Sequence, residues 1–278
     1  MAVKVVTDSV SDVPPEVAQE LGITVIPIGV RFGTETFRDG VDLSAEEFYH
    51  KLETSSFFPA TFVLGLGEFV EIFDKVAEQT DEIIFIPLSS KLSATYEVAL
   101  QARNQMNRNC RVEVVDSLSA IMGEGLIVIE AAKAAQRGEN LDQIAATVKE
   151  IIPRTHVRAC FDTLEYLRKG GRIGKAQALL GSILKVNPIV GIENDEVLPF
   201  AKARSRAKGM DWLYNFVKGF SHIKALAVEY ATTPDEAEEL AQRLGAIFPR
   251  DQICMSRVGC VVGTHVGPHV ISVSLIEG

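Results

Sequence analysis

The first half of the chain alternates between two kinds of segment, and that alternation limits its fold more than any other feature. Short apolar, β-branched runs at 3–6, 23–32, 82–88 and 111–115 are separated by helix-periodic stretches at 14–21, 44–52, 67–79, 93–106 and 123–137. Strands alternating with helices of several turns build βαβ units, and such units stack into a parallel sheet with helices on both faces. Ser44 followed by Glu47 has the spacing of a capping box, which places a helix start there. The stretch 24–42, with three glycines and two arginines, reads as an extended, hairpin-like excursion from this pattern.

A helix over 141–152 stops at Pro153, and 155–161 is strand-like, so the pattern changes near residue 155. A chain of 278 residues exceeds one average domain, and we divide it into 1–155 and 156–278. In the second part, runs at 188–192 and 197–202 flank a turn at 193–196, and Ser205 opens a helix. A strand at 223–230 precedes Thr233-Pro234-Asp235-Glu236, read as an N-cap with Pro in the first turn. Strands near 252–257 and 270–275 complete the pattern. The expected class is α/β: a doubly wound, largely parallel N-terminal sheet domain and an α+β C-terminal domain with a mixed sheet.

Charge narrows the function. Lys and Arg number 28 against 37 Asp and Glu, a net charge of -9, which opposes nucleic-acid binding and electrostatic attachment to anionic lipid. Cys110, Cys160, Cys254 and Cys260 are too scattered for a disulfide framework or a Cys-x-x-Cys site. Reduced thiols, with Met1 leading directly into the first strand and no apolar run of spanning length, give a cytoplasmic expectation.

Candidate chemistry gathers at strand ends. Pro87 to Tyr96 carries an apolar strand into a helix, the edge where doubly wound sheets bind ligands. Ser93 stands at the N-cap position, and the amides of Ala94 and Thr95 in the first turn would attract an anion. Capping alone is the simpler reading of Ser93, and the two are compatible. Asp8 and Asp12, in Thr7-Asp8-Ser9-Val10-Ser11-Asp12, have metal-ligand chemistry, but turn-forming side chains account for them better. Val115-Asp116-Ser117 is a third polar strand end. Arg168-Lys169-Gly170-Gly171-Arg172 lacks the ending of a phosphate loop and reads as a docking loop or a helix stop. In Val262 to His269 the glycines and Pro268 argue against a helix, so His265 is expected on a loop, placed against a carboxylate. A metal pair of His265 and His269 is weak. Neither a Gly-x-Ser-x-Gly elbow nor a Gly-x-Gly-x-x-Gly fingerprint occurs, and Gly123-Glu124-Gly125 lacks the third glycine.

Taken in order, Thr7-Asp8-Ser9, Ser90-Lys91-Leu92-Ser93-x-Thr95-Tyr96, Val115-Asp116-Ser117, Leu164 to Ile173, Pro188 with Arg204, and Gly263-x-His265-x-Gly267-Pro268 resemble the DegV family of bacteria. The resemblance implies a two-domain α/β protein that holds one long-chain, palmitate-like fatty acid in a buried tunnel between the domains. It implies the acyl-carrying subunit of a fatty acid kinase. A separate kinase subunit would phosphorylate the bound carboxylate to an acyl phosphate for phospholipid synthesis. No catalytic residue, metal or cofactor of the chain's own is implied, and transient membrane contact stays open. The family's carboxylate contacts fall on Thr61, Ser93, the amide of Ala94, and His265. Ser9, Thr95 and Ser117 fall on the rim, and Arg172 and Arg204 fall where they would dock the kinase or orient a phosphate. The chain reads Thr61-Phe62-Val63-Leu64-Gly65 where the family has Thr-Ser-Gln-Pro-Ser, and Ala94 and His269 stand in glycine's places. The competing reading is a stand-alone acyl hydrolase or transferase with Ser93 as nucleophile and His265 as base.

Overall fold

The computed structural model describes residues 2–180, 186–193 and 195–278. Its elements are β1 (Lys4–Asp8), α1 (Pro15–Leu21), β2 (Thr24–Ile26), β3 (Gly29–Phe32), β4 (Glu35–Arg38), α2 (Ala45–Thr54), β5 (Ala60–Phe62) and α3 (Leu66–Val76). Next come β6 (Glu82–Ile86), α4 (Thr95–Arg103), β7 (Arg111–Val114), α5 (Ile121–Gln136), α6 (Leu141–Ile151), β8 (Thr155–Cys160) and α7 (Glu165–Lys169). After them follow β9 (Asn187–Glu193), β10 (Glu196–Ala203), α8 (Arg206–Lys218), β11 (Ile223–Tyr230), α9 (Pro234–Leu244), β12 (Ile253–Arg257), α10 (Cys260–Val266) and β13 (Ile271–Glu277).

The expected parallel sheet is present, in the order β2-β1-β6-β7 with every pairing parallel. Its two central strands are buried along nearly their whole length because both faces are covered, whereas the edge strand β7 alternates Arg111-Val112-Glu113-Val114. Ile84 and Ile86 pack with α5 and α6, whereas Ile83 and Phe85 pack with Phe69 and Phe73 of α3 and Ala99 and Ala102 of α4. The second sheet runs β10-β9-β8-β13-β11-β12 and is mixed, with only the β11–β12 pair parallel. One of its faces carries α8 and α9 through Cys160, Leu226, Val228 and Val273. The opposite face meets the first sheet's helices, with Ala225, Ala227 and Ile276 in the same core as α5.

α5 is buried on nearly every side because a sheet lies against it from each direction. Two glycines permit that approach. A Cβ at Gly123 would lie 2.3 Å from Val157 of β8, and one at Gly125 would lie 2.5 Å from the Ser11 carbonyl. The pair that failed as a dinucleotide fingerprint is thus a packing device.

Four local expectations are corrected. The run 23–32 is two strands rather than one, because Pro27 has no N–H to donate to a ladder. β2 stays in the parallel sheet, while β3 turns through Gly33 (φ 59°) into β4 and also pairs with β5, making a separate three-stranded antiparallel sheet. Residues 260–266 form a helix, α10, despite the glycines. Gly263 leaves room for Phe48 and Tyr49 of α2, which a Cβ there would meet at 2.6 and 2.8 Å, and the helix stops at Gly267 (φ 78°) before Pro268. Thr233 precedes α9 without capping it through its side chain, and the reciprocal half of a capping box is also missing, since Glu236 is held by Arg206 at 3.0 Å. α4 begins at Thr95 with Ala94, not Ser93, in the cap position. The capping box at Ser44 and the cap at Ser205 form as expected. Asn194, in the expected turn at 193–196, lies outside the described residues.

Candidate functional site

A cavity of about 260 Å³ lies between the two large sheets at the carboxyl edge of the parallel one. Alternation along the mixed sheet supplies the floor: Val157 and Ala159 from β8, Val190 and Ile192 from β9, and Ser272 from β13. Val10 and Leu88, just past β1 and β6, line it from the other side, with Ile121 at the start of α5 and Val261, Val262 and Val266 of α10. The polar side chains on this lining are Thr61, Ser93, Arg172, His265 and Ser272. The first four are at least partly exposed, whereas Ser272 is buried and donates to Glu229 at 2.8 Å. The cavity therefore has an apolar body and a polar rim that reaches solvent.

Each rim group is held by its own element. Thr61 sits on β5, paired with Val30 of β3, and its hydroxyl lies 3.2 Å from Nε2 of His265. His265 is in the last turn of α10. That helix is anchored at its start by aspartates of the first half: Gly259 N–H donates to Asp12, and Cys260 and Val261 N–H donate to Asp39, at 3.0, 3.0 and 3.3 Å. Nδ1 of His265 is buried without a partner among the described residues. Burial, reinforced by the neighbouring Arg172 charge, pushes the imidazole pKa down to about 4, so the ring is neutral at neutral pH. Ser93 Oγ is 2.9 Å from the Thr95 hydroxyl and accepts the Thr95 amide at 3.2 Å. The Ala94 amide has no partner among the described residues, and Ala94 lines the cavity. Arg172 donates through Nε to the Leu92 carbonyl at 3.2 Å and through Nη1 to the Gly170 carbonyl at 2.9 Å.

Thr61, Ser93, Ala94, Arg172 and His265, drawn from four separate stretches of sequence, are thus brought to one cavity. Ser93 and His265 do not pair with each other, because each hydrogen-bonds elsewhere. Thr95 is wholly buried behind Ser93. Ser9 accepts the Ile28 amide, and Ser117 lines a different cleft. Arg204 is exposed and off the cavity. His269 follows the end of α10 and lies 3.5 Å from the Thr232 hydroxyl, away from His265's partner. Among the described residues no cluster of His, Cys, Asp and Glu is arranged to hold a metal. Asp8 instead accepts the amides of Val10 and Leu88 at 2.9 and 3.0 Å.

The sequence reading missed a group of buried carboxyls beneath the site: Asp8, Asp12, Asp39, Glu124 and Glu229. Burial raises all five. Asp8 reaches about 7 and Glu229 about 8, and Glu124 is raised further by the Asp8 charge. It also missed the floor, although the period-two pattern Val157, Ala159, Phe161 was a readable signal for it.

A model of the DegV family matches residues 2–278. The chain belongs to the DegV family. A DegV domain-containing protein of Caldanaerobacter subterraneus subsp. tengcongensis is 34% identical, over 99% of each chain. Protein DegV of Bacillus subtilis is 32% identical over 98% of each. Among solved structures, a DegV family protein from Thermus thermophilus, described by its fatty acid binding, superposes with a TM-score of 0.90 at 28% identity and full coverage of both chains. DegV of Bacillus subtilis, described as a fatty acid binding protein, does so with a TM-score of 0.90 at 30% identity, again with full coverage. No helix among the described residues of this DegV protein is long and apolar enough to cross a membrane.

Proposed function

We propose that this DegV protein binds one long-chain fatty acid, with the tail in the cavity between the sheets and the carboxylate at the rim formed by Thr61, Ser93, the Ala94 amide and His265. The observation that carries the reading is the cavity's asymmetry, an apolar body with hydrogen-bonding groups at its solvent end. The fatty acid binding of the Thermus and Bacillus relatives supports it. A palmitate tail of about fourteen methylenes, at roughly 0.8 kcal/mol each, brings about 11 kcal/mol of transfer energy before the costs of association. The rim then needs only to satisfy the carboxylate, because a buried anion without donors is costly.

On this reading residues 1–155 and 156–278 act as two domains closing on the ligand. The chain is a carrier, and a separate kinase subunit phosphorylates the carboxylate to an acyl phosphate. Hydroxyl and amide donors support that step, since they hold the carboxylate without a tight ion pair and leave an oxygen free to attack ATP. The separate engagements of Ser93 and His265 favour a carrier over a hydrolase. Extraction of the purified protein and mass spectrometry should find a fatty acid in near-equimolar amount. With a fatty acid kinase subunit and ATP, the loaded protein should yield acyl phosphate. Thr61→Ala with Ser93→Ala should impair both properties; unchanged loading and turnover would place the site elsewhere.

A further inference from the structure

We propose that Asp195, in the turn between β9 and β10, is a positioning residue that sets the loop 89–94 so that Ser93 and the Ala94 amide can receive a carboxylate. This rests on the fatty acid reading above and adds a residue outside the cavity to it.

The loop is built around Ser89, which is wholly buried. Its carbonyl accepts the amides of Leu92 and Ser93 at 3.0 and 3.2 Å, and its Oγ accepts the Lys91 amide at 3.2 Å. A hydroxyl has one proton, and the Ser89 proton goes to the Asp195 carboxylate of the other half of the chain. That donation turns the oxygen's lone pairs toward Lys91, so the aspartate fixes which way the hub faces. The same carboxylate lies 3.5 Å from Lys91 Nζ, and its side chain is only 11% exposed while that of Lys91 is 57% exposed. Asp195 adopts φ 63°, a left-handed conformation that Asp tolerates better than most residues. Arg172 holds the loop farther along, at the Leu92 carbonyl. The second half therefore grips the loop on both sides of its tightest turn, immediately before the two groups offered to the ligand.

A contact that merely joined the halves would affect every ligand alike, whereas one that aims the loop affects only the carboxylate. The test compares palmitate with hexadecanol, which has the same chain length and no carboxylate, on the delipidated full chain. The wild type should prefer the acid. Asp195→Ala should reduce that preference about tenfold, the loss of roughly one charge-assisted hydrogen bond, and leave hexadecanol affinity unchanged. Ser89→Ala should do the same, and the double variant should lose no more than either single one. Asp195→Asn, whose amide oxygen still accepts the Ser89 proton, should keep most of the preference. Equal losses for acid and alcohol in Asp195→Ala, or no loss for either, overturn the proposal; if that variant fails to fold, Ser89→Ala decides by the same criterion. A wild type that does not distinguish acid from alcohol refutes the carboxylate rim itself, a separate failure.

Discussion

Thr61 and His265 show how a polar cavity rim is made from two ordinary side chains. The histidine is neutral because it is buried beside Arg172, so it meets a ligand as a hydrogen-bonding ring and not as a cation. With Thr61 at one nitrogen and no partner at the other among the described residues, each residue's contribution depends on the other. A double-mutant cycle of Thr61→Ala and His265→Ala on palmitate binding should therefore return a coupling of about 1 kcal/mol. Strict additivity would mean the pair does not act together. His265 was legible from its own chemistry as well as through family resemblance, whereas Thr61 was legible only through the resemblance; nothing in the local pattern of Thr61-Phe62-Val63 marks a strand end facing a cavity. Phe62 illustrates the limit. Its ring covers Gly29 of the neighbouring strand, with a Cβ there 2.2 Å from the ring, and that cross-strand relation exists only once β3 and β5 pair.

At the scale of elements, legibility followed locality. Ser44 and Glu47 cap α2 as read, because a capping box is complete within one turn. The central parallel strands were legible because burial on both faces gives runs such as Glu82-Ile83-Ile84-Phe85-Ile86, nearly all apolar. α10 was not, because glycine argues against a helix locally, and what overrides that is the close packing of α2 at Gly263. The two sites predict different outcomes. Gly263→Ala should push α10 away from α2, costing about 1–3 kcal/mol of stability and weakening palmitate binding through displaced His265. Ser44→Ala should cost about 1 kcal/mol and leave palmitate binding unchanged. Denaturant unfolding and a binding isotherm on each variant check both statements, and a Gly263→Ala protein with wild-type affinity would separate α10's packing from the site.

Over the whole molecule, the carboxyls buried between the halves govern the response to pH. Each has a folded pKa above its unfolded value, so the folded state keeps the proton longer, and the associated stability is complete below about pH 4 and lost as pH rises through the folded value. For Asp8 and Glu229 those values are about 7 and 8. The lowered histidines act in the opposite sense but only below about pH 6.5. Unfolding free energy of the delipidated protein should therefore fall between about pH 6.5 and 8.5, at up to about 1.4 kcal/mol per pH unit for each group titrating. Glu229→Gln should flatten the decline, and a rise over that interval would contradict it. None of this was readable from composition, since a net charge of -9 does not reveal which carboxyls are buried. The separation of 204 positions between Thr61 and His265 carries one more consequence. Neither half owns a complete cradle, so a molecule caught partway through folding has no place to seat a head group. If the proposed fatty acid seats there, cargo and native structure arrive together, and a lipid-loaded chain is by that fact a finished one.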